Sequence, residues 1–328
     1  MGMYAALLAV AGLIVLAFLG VQIGLHFLLG VLIPYVAVAV FIGGFAYRVY
    51  LWGTSPVPFR VPTTAGQMQS FNWIKRNRFD NPSTGFEVLV RMALEVFCFR
   101  SLFRNTKSEI QDGRLIHGSD KWLWLFAILF HYSFLVVFVR HFRLFLENVP
   151  SFIMTIESLD GFFQMGVPFV YLTDVLLLTG VIALLARRIM LPHVKYISMM
   201  ADYFPLFLII AIACTGILMR YFIRVDITEV KAFVIGLVSL KPVSSSGIGV
   251  IFYIHLFLIS TLLFYFPFSK LMHMGGVFMS PTRNLANNSR MVRHINPWNP
   301  EVHVHTYAEY EDEFRDKMKQ AGIPVEKE

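Results

Sequence analysis

Four histidines sit where two apolar helices could share them. The stretch WLWLFAILFHYSFLVVFVRHFR (122–143) carries His131 and His141, and VIFYIHLFLISTLLFYFPFSKLMHMGG (250–276) carries His255 and His273. Imidazoles from facing helices of a bundle are suited to clamp haem iron from both sides. Iron held by two imidazoles has no open axial position, so it transfers electrons rather than binding oxygen. Histidines in a bilayer also serve as hydrogen-bonded structural groups or as steps in a proton path. A proton-coupled carrier of that kind would pair them with intramembrane carboxylates, and only Asp174 and Asp202 lie in apolar stretches.

The elements that must position these residues are membrane spans. Hydrophobic residues make up 56% of the 328 residues and charged ones 15%, well below the roughly 25% of soluble domains. An all-α integral membrane protein with six transmembrane helices is expected, at about 4–24, 32–52, 121–145, 167–190, 202–223 and 250–273. Residues 3–47 would make one helix of roughly 68 Å against a hydrocarbon core of about 30 Å, so two spans share them, with a turn near Gly24–Pro34. The start, Met-Gly-Met-Tyr, has no basic lead-in and reads as a retained span.

The chain divides into a two-span hairpin (1–52), a loop with an interfacial helix (53–120), a four-span core (121–274) and a polar tail (275–328). Three prolines within residues 54–67 forbid helix there, whereas Glu87, Arg91 and Glu95 repeat every four residues and mark one face of an amphipathic helix. A charged stretch from Glu309 to Lys319 is expected to form a short helix. Two cysteines, Cys98 and Cys214, exclude a four-cysteine Fe–S or zinc site within the chain, and no Cys-x-x-Cys-His is present for covalent haem.

Charge sets the orientation. Of the 28 Lys and Arg, six (Arg140, Arg143, Arg220, Arg224, Lys231, Lys241) fall on one side, leaving 22 on the side that holds both termini. By the positive-inside pattern the termini are cytoplasmic, and the +7 net charge is a matter of topology, with no nucleic-acid partner implied. Spans three and six then run antiparallel, which pairs His141 with His255 near the outer face and His131 with His273 near the inner one. Ten residues of helix rise roughly 15 Å and eighteen roughly 27 Å, the latter being five whole turns. His26, His117, His193, His294, His303 and His305 are read as surface or loop residues.

Arg140 and Arg143 beside His141, and Lys270 beside His273, stand at suitable levels to bind haem propionates or to snorkel to the interface. Asp174, near the outer end of span four, is a candidate acceptor for a quinol proton or a structural carboxylate.

The ten-and-eighteen histidine spacing resembles the dihaem cytochrome b (gamma) subunit of respiratory nitrate reductase. The segments PTTAGQMQSFNWI (62–74) and FDNPSTGFEVLVRMALEVFCFRSLFRNTK (79–107) resemble the DsrM-type membrane subunit of sulfite-reductase-linked complexes, over most of the chain. Relative to nitrate reductase there is an extra amino-terminal span and a long inner loop. The resemblance implies two haem b, menaquinol (or menaquinone) as redox substrate, and location in the cytoplasmic membrane. It also implies a cytoplasmic Fe–S partner like the catalytic subunit of heterodisulfide reductases, further membrane and periplasmic subunits, and a place in dissimilatory sulfur metabolism.

Overall fold

The computed structural model describes residues 2–55, 73, 75, 77–103, 107–118, 120–161, 170–243, 247–286, 301 and 303–327. Nearly all of the proline-containing stretch 54–67, and His294, lie outside these residues.

Helices α1 (Gly2–Gln22) and α2 (Ile33–Thr54) form the amino-terminal hairpin. The turn between them is shorter than expected, because Gly24 alone supplies the left-handed conformation (φ 82°). A π-helical turn, Leu28–Leu32, runs straight into α2. Pro34 sits in the first turn of α2, where its missing N–H leaves no bond unmade.

After the hairpin, α3 (Gly85–Cys98) starts at Thr84, whose hydroxyl accepts from the Glu87 N–H; the Glu87 carboxylate in turn accepts from the Ser83 N–H at 2.8 Å. It stops at Phe99, a bulky residue in the left-handed region (φ 49°), before the single turn α4 (Arg100–Phe103). The all-α expectation needs one correction. Strands β1 (Lys107–Gln111) and β2 (Arg114–Gly118) pair antiparallel across Asp112–Gly113, both at positive φ as a two-residue hairpin requires. His117 lies exposed on β2, 3.0 Å from the Ser108 hydroxyl.

The core comprises α5 (Lys121–Phe145), α6 (Ser151–Asp160), α7 (Leu172–Met190), α8 (Pro192–Ile197), α9 (Met200–Ile217) with a π-helical turn at Leu218–Phe222, α10 (Ile227–Val238) and α11 (Val250–Tyr265). Asp120 caps α5, accepting from the Leu123 N–H at 3.1 Å. Among the described residues five helical stretches are long and apolar enough to cross a membrane: 2–22, 28–54, 121–145, 200–222 and 250–268. The chain is thus a multi-pass membrane protein. The fourth expected span, 167–190, corresponds to α7, which begins at Leu172, carries Asp174, Arg187 and Arg188, and packs between α5 and α9.

The last span departs from expectation. Pro267 has no N–H to continue the ladder, so α11 gives way to two 3-10 turns (Phe266–Phe268 and Lys270–Met272) around an extended Ser269. His273 therefore opens a separate short helix, α12 (His273–Gly276), and the five-turn spacing to His255 does not describe the backbone between them. A turn, α13 (Pro281–Asn284), follows. The charged tail helix is α14 (Tyr307–Gln320), opened by a capping box of Thr306 and Glu309.

Lipid tails are as apolar as leucine, so helices in a bilayer associate where small residues let backbones approach. A Cβ on Gly2 would lie 2.9 Å from the Met200 backbone, on Gly180 2.9 Å from the Phe130 backbone, and on Gly44 2.7 Å from Pro267. These contacts join α1 to α9, α7 to α5, and α2 to the Pro267 turn. At the centre α11 buries Phe252, Tyr253, Ile254, Phe257 and Leu258 against α1, α2 and α9. Close packing joins α5 to α7, whereas α5 and α11 are not among the closely packed helix pairs. The two histidine-bearing helices are separated along their length.

Candidate functional site

His131 and His273 meet at one end of that separation. Their ring centroids are 5.9 Å apart with planes at 80°. Two imidazoles on opposite sides of one metal ion have centroids about 6 Å apart, from metal–nitrogen bonds of roughly 2 Å and the ring radius. The separation fits that arrangement. Phe130 and Phe99 pack edge-on against His131, at 4.9 and 5.0 Å between centroids. The left-handed backbone of Phe99 is what turns its ring toward the histidine. Two α5 side chains hold α3 there, with Trp124 Nε1 donating to the Cys98 carbonyl and the Tyr132 hydroxyl to the Phe97 carbonyl, each at 2.8 Å. They satisfy carbonyls that a helix end otherwise leaves without partners.

At the other end, His255 is buried and His141 exposed, and the two interact electrostatically without ring contact. Gly216 keeps the wall beside His255 thin, since a Cβ there would lie 3.4 Å from its Cε1.

All four rings share one hydrogen-bond pattern. Nδ1 of His131 lies 2.7 Å from the Ala127 carbonyl, that of His141 2.7 Å from Val137, and that of His273 2.8 Å from Lys270. A carbonyl only accepts, so Nδ1 carries the proton and Nε2 keeps its lone pair. The His255 Nδ1 instead meets the Thr215 hydroxyl at 2.8 Å. That hydroxyl already donates to the Ala211 and Ile212 carbonyls, both at 2.9 Å, so here too Nδ1 must be the donor. Metal-bound histidines characteristically donate their second ring N–H in this way, which fixes tautomer and orientation. Four imidazoles of one tautomer, on α5 and in the segment from α11 to α12, are a donor set whose chemistry suits haem iron.

The charged residues near the histidines form their own networks. Arg140 pairs with Asp160 and with Asp174 (2.9 Å), and stacks on Tyr171 at 3.6 Å. Arg220 covers Tyr171 at 3.9 Å. Asp174 accepts a second bond, from the Tyr221 hydroxyl at 2.8 Å, and Asp160 accepts from the N–H and hydroxyl of Thr173. The π-helical turn at Leu218–Phe222 places Arg220 and Tyr221 on this cluster together; such bulges occur often at functional sites. Arg143 pairs with Glu157. Burial pushes the Glu157 carboxyl up, but the Tyr171 hydroxyl and Arg143 outweigh it, and its pKa falls below the usual carboxylate value.

At the His273 end, Lys270 pairs with Asp202 at 2.7 Å, and Arg187 with Asp120 at 2.7 Å. A cavity of about 490 Å³ opens there, lined by Arg48, Trp52, Tyr265, Lys270 and His273 among others. Sequence reasoning did not single out Thr215, Phe99, Tyr221, Asp160 or Arg48. Thr215 is a polar residue in an apolar span, and Arg48 had been read only as part of the charge balance.

Residues 91–295 match the family model described as nitrate reductase gamma subunit, a stretch that includes all four histidines. The chain belongs to that family. Curated relatives of this cytochrome family narrow the branch. The Hdr-like menaquinol oxidoreductase cytochrome b-like subunit of Archaeoglobus fulgidus is 45% identical over 278 residues, covering 83% of each chain. Its counterpart in Archaeoglobus profundus is 44% identical over 280 residues, covering 82% of each. The chain is accordingly a DsrM-type member of the nitrate reductase gamma-subunit superfamily.

Proposed function

We propose that this chain is a dihaem cytochrome b that oxidises menaquinol and delivers the electrons across the membrane to a cytoplasmic Fe–S subunit of the heterodisulfide-reductase type, in dissimilatory sulfur metabolism. The observation that supports the reading is the approach of His131 and His273 to 5.9 Å between ring centroids, close to the separation of two imidazoles bound to one iron. The name of the relatives, which couples a cytochrome b-like subunit to menaquinol oxidation, supports the substrate. The absence of any four-cysteine cluster within the chain supports the need for a partner that carries iron and sulfur.

Two haem b supply one-electron carriers when bound, one between His141 and His255 and one between His131 and His273. The chain's residues do the rest. The Ala127, Val137 and Lys270 carbonyls and the Thr215 hydroxyl hold the Nδ1 protons and aim each Nε2. Asp174 accepts the proton released at the His141 end; when it does, Asp160 remains as counter-ion to Arg140. Arg140, Arg143 and Lys270 contribute positive potential, each anchored by a carboxylate. With both termini cytoplasmic, the His131–His273 site is the inner one, on the side where the Fe–S subunit docks.

A reduced-minus-oxidised visible spectrum and a haem count of the purified chain test this reading. Two b-type haems are expected, and His141→Ala should remove one while sparing the other. A chain free of iron would favour a haem-free scaffold or proton-coupled carrier, and loss of both haems in His141→Ala would overturn the pairing.

A further inference from the structure

The His273 end holds a cation that nothing in the described chain neutralises. Arg48 lies half-buried on α2, about two turns before the helix ends at Thr54. Its Nε is buried and has no hydrogen-bond partner. Among the described residues no carboxylate pairs with it, and its guanidinium carbon lies 5.9 Å from the Trp52 ring centroid. Neighbouring cations at this end differ. Arg187 has Asp120, Arg188 has the Ser198 hydroxyl and Asp202, and Lys270 has Asp202.

Withdrawing a guanidinium from water without a counter-charge is costly, and charged groups within spans usually mark a ligand or a pathway. Arg48 also borders the 490 Å³ cavity, together with Trp52, Tyr265, Lys270 and His273. The cavity therefore presents a planar fork of donors, a second cation on the rim and aromatic walls. A guanidinium favours paired oxygens, as in a carboxylate or a phosphate, which it can bind through two parallel N–H bonds.

We infer that this cavity is an anion-binding site, with Arg48 the principal contact for carboxylate or phosphate oxygens and Lys270 secondary. One source of such oxygens is the pair of propionates on a haem held by His131 and His273; this version rests on the dihaem reading. The other is the headgroup of an anionic phospholipid, which needs no haem. Because His273 lines the same cavity, an anion held by Arg48 sits beside a proposed iron ligand.

The test uses the full chain, in its complex, reconstituted in phosphatidylglycerol nanodiscs, as wild type, Arg48→Gln and Arg48→Lys. Redox titration and native mass spectrometry are read on each, with Arg114→Gln on the exposed hairpin as a control. If the anion is a propionate, Arg48→Gln makes one haem harder to reduce, since a cation nearby favours the electron-rich state. The expected change is about tenfold in the reduced-to-oxidised ratio, or about 60 mV for one electron. The other haem stays put, and Arg48→Lys restores most of the change. If the anion is a lipid headgroup, both potentials hold and Arg48→Gln loses a tightly retained phosphatidylglycerol that Arg48→Lys keeps. Unaltered potentials with unaltered lipid retention overturn the site. A chain without haem would remove the dihaem reading and leave the lipid arm to decide.

Discussion

Replacing Thr215 with valine is the sharpest probe of the His255 site, because it removes one oxygen and almost no volume. The hydroxyl accepts the His255 Nδ1–H at 2.8 Å and passes its own proton to the Ala211 and Ile212 carbonyls. In the variant a buried ring N–H loses its partner, which costs about 1–3 kcal/mol.

The larger effect is electronic. Donation from Nδ1 makes Nε2 a stronger base, and a stronger base favours oxidised iron. Loss of such a supporting partner typically weakens metal binding about 10–100-fold. Taking the smaller factor and assigning it to the oxidised state, the reduced-to-oxidised ratio rises about tenfold, an upward shift of about 60 mV for one electron. The assay is a potentiometric titration followed in the haem α-band, with a haem count alongside. One haem should move and one should not, and Thr215→Ser, which keeps the oxygen, should stay near wild type. The reasoning fails if both potentials move together, if neither moves, or if serine behaves as valine does.

Three further outcomes follow from the same geometry. Asp174→Asn should slow menaquinol-dependent haem reduction about a hundredfold, the low side of what a positioned proton acceptor contributes, while dithionite still reduces both haems; an unchanged rate would dispose of the role. Gly180→Ala puts a Cβ 2.9 Å from the backbone of Phe130, which cannot rotate away, and should destabilise the bundle by about 1–3 kcal/mol and lower haem content at the adjacent His131, as thermal unfolding and a haem count will show. The tail has its own pH dependence. The backbone N–H groups of Glu326 and Lys327 hold the Glu311 carboxyl below its usual value, so the fold-back of residues 322–327 onto α14 is present above the usual carboxylate range and lost as pH falls through the depressed value. The hydrogen-exchange protection of those two amides, taken relative to the intrinsic rate at each pH, should fall in acid and hold at neutral pH.

The spans were legible because a membrane helix is written in composition over about twenty residues, and composition survives errors of register. The caps at Asp120 and at the start of α14 were equally local. What was hidden depended on single residues acting against their surroundings. Pro267 broke a span that read as continuous, and the Asp112–Gly113 pair made a hairpin in a stretch scanned for helix. His131 and His273 come near one another by a different route from the one expected. Five regular turns were assumed to carry His273 back into line, whereas 3-10 turns and the short α12 bring it there. Thr215 and Arg48 could not be found from spacing. One is defined by a hydrogen bond across forty residues of sequence, the other by the lack of a counter-ion among the described residues.

The surroundings of the two histidine pairs differ in ways that suit different tasks. Around His141, arginines and carboxylates are interlocked, with Tyr171 between two guanidiniums, so a proton accepted by Asp174 would leave each remaining charge a partner. Proton uptake needs that arrangement, because an uncompensated charge in a low dielectric would oppose it. Around His273 the cations are less enclosed, Lys270 is largely exposed, and a cavity reaches the histidine. Electron exit makes no demand for buried proton acceptors; it needs only that a carrier lie close to the surface where a partner docks. If the chain works as proposed, this contrast would put menaquinol at the His141 end and the Fe–S subunit at the His273 end, the same order as the positive-inside count implies.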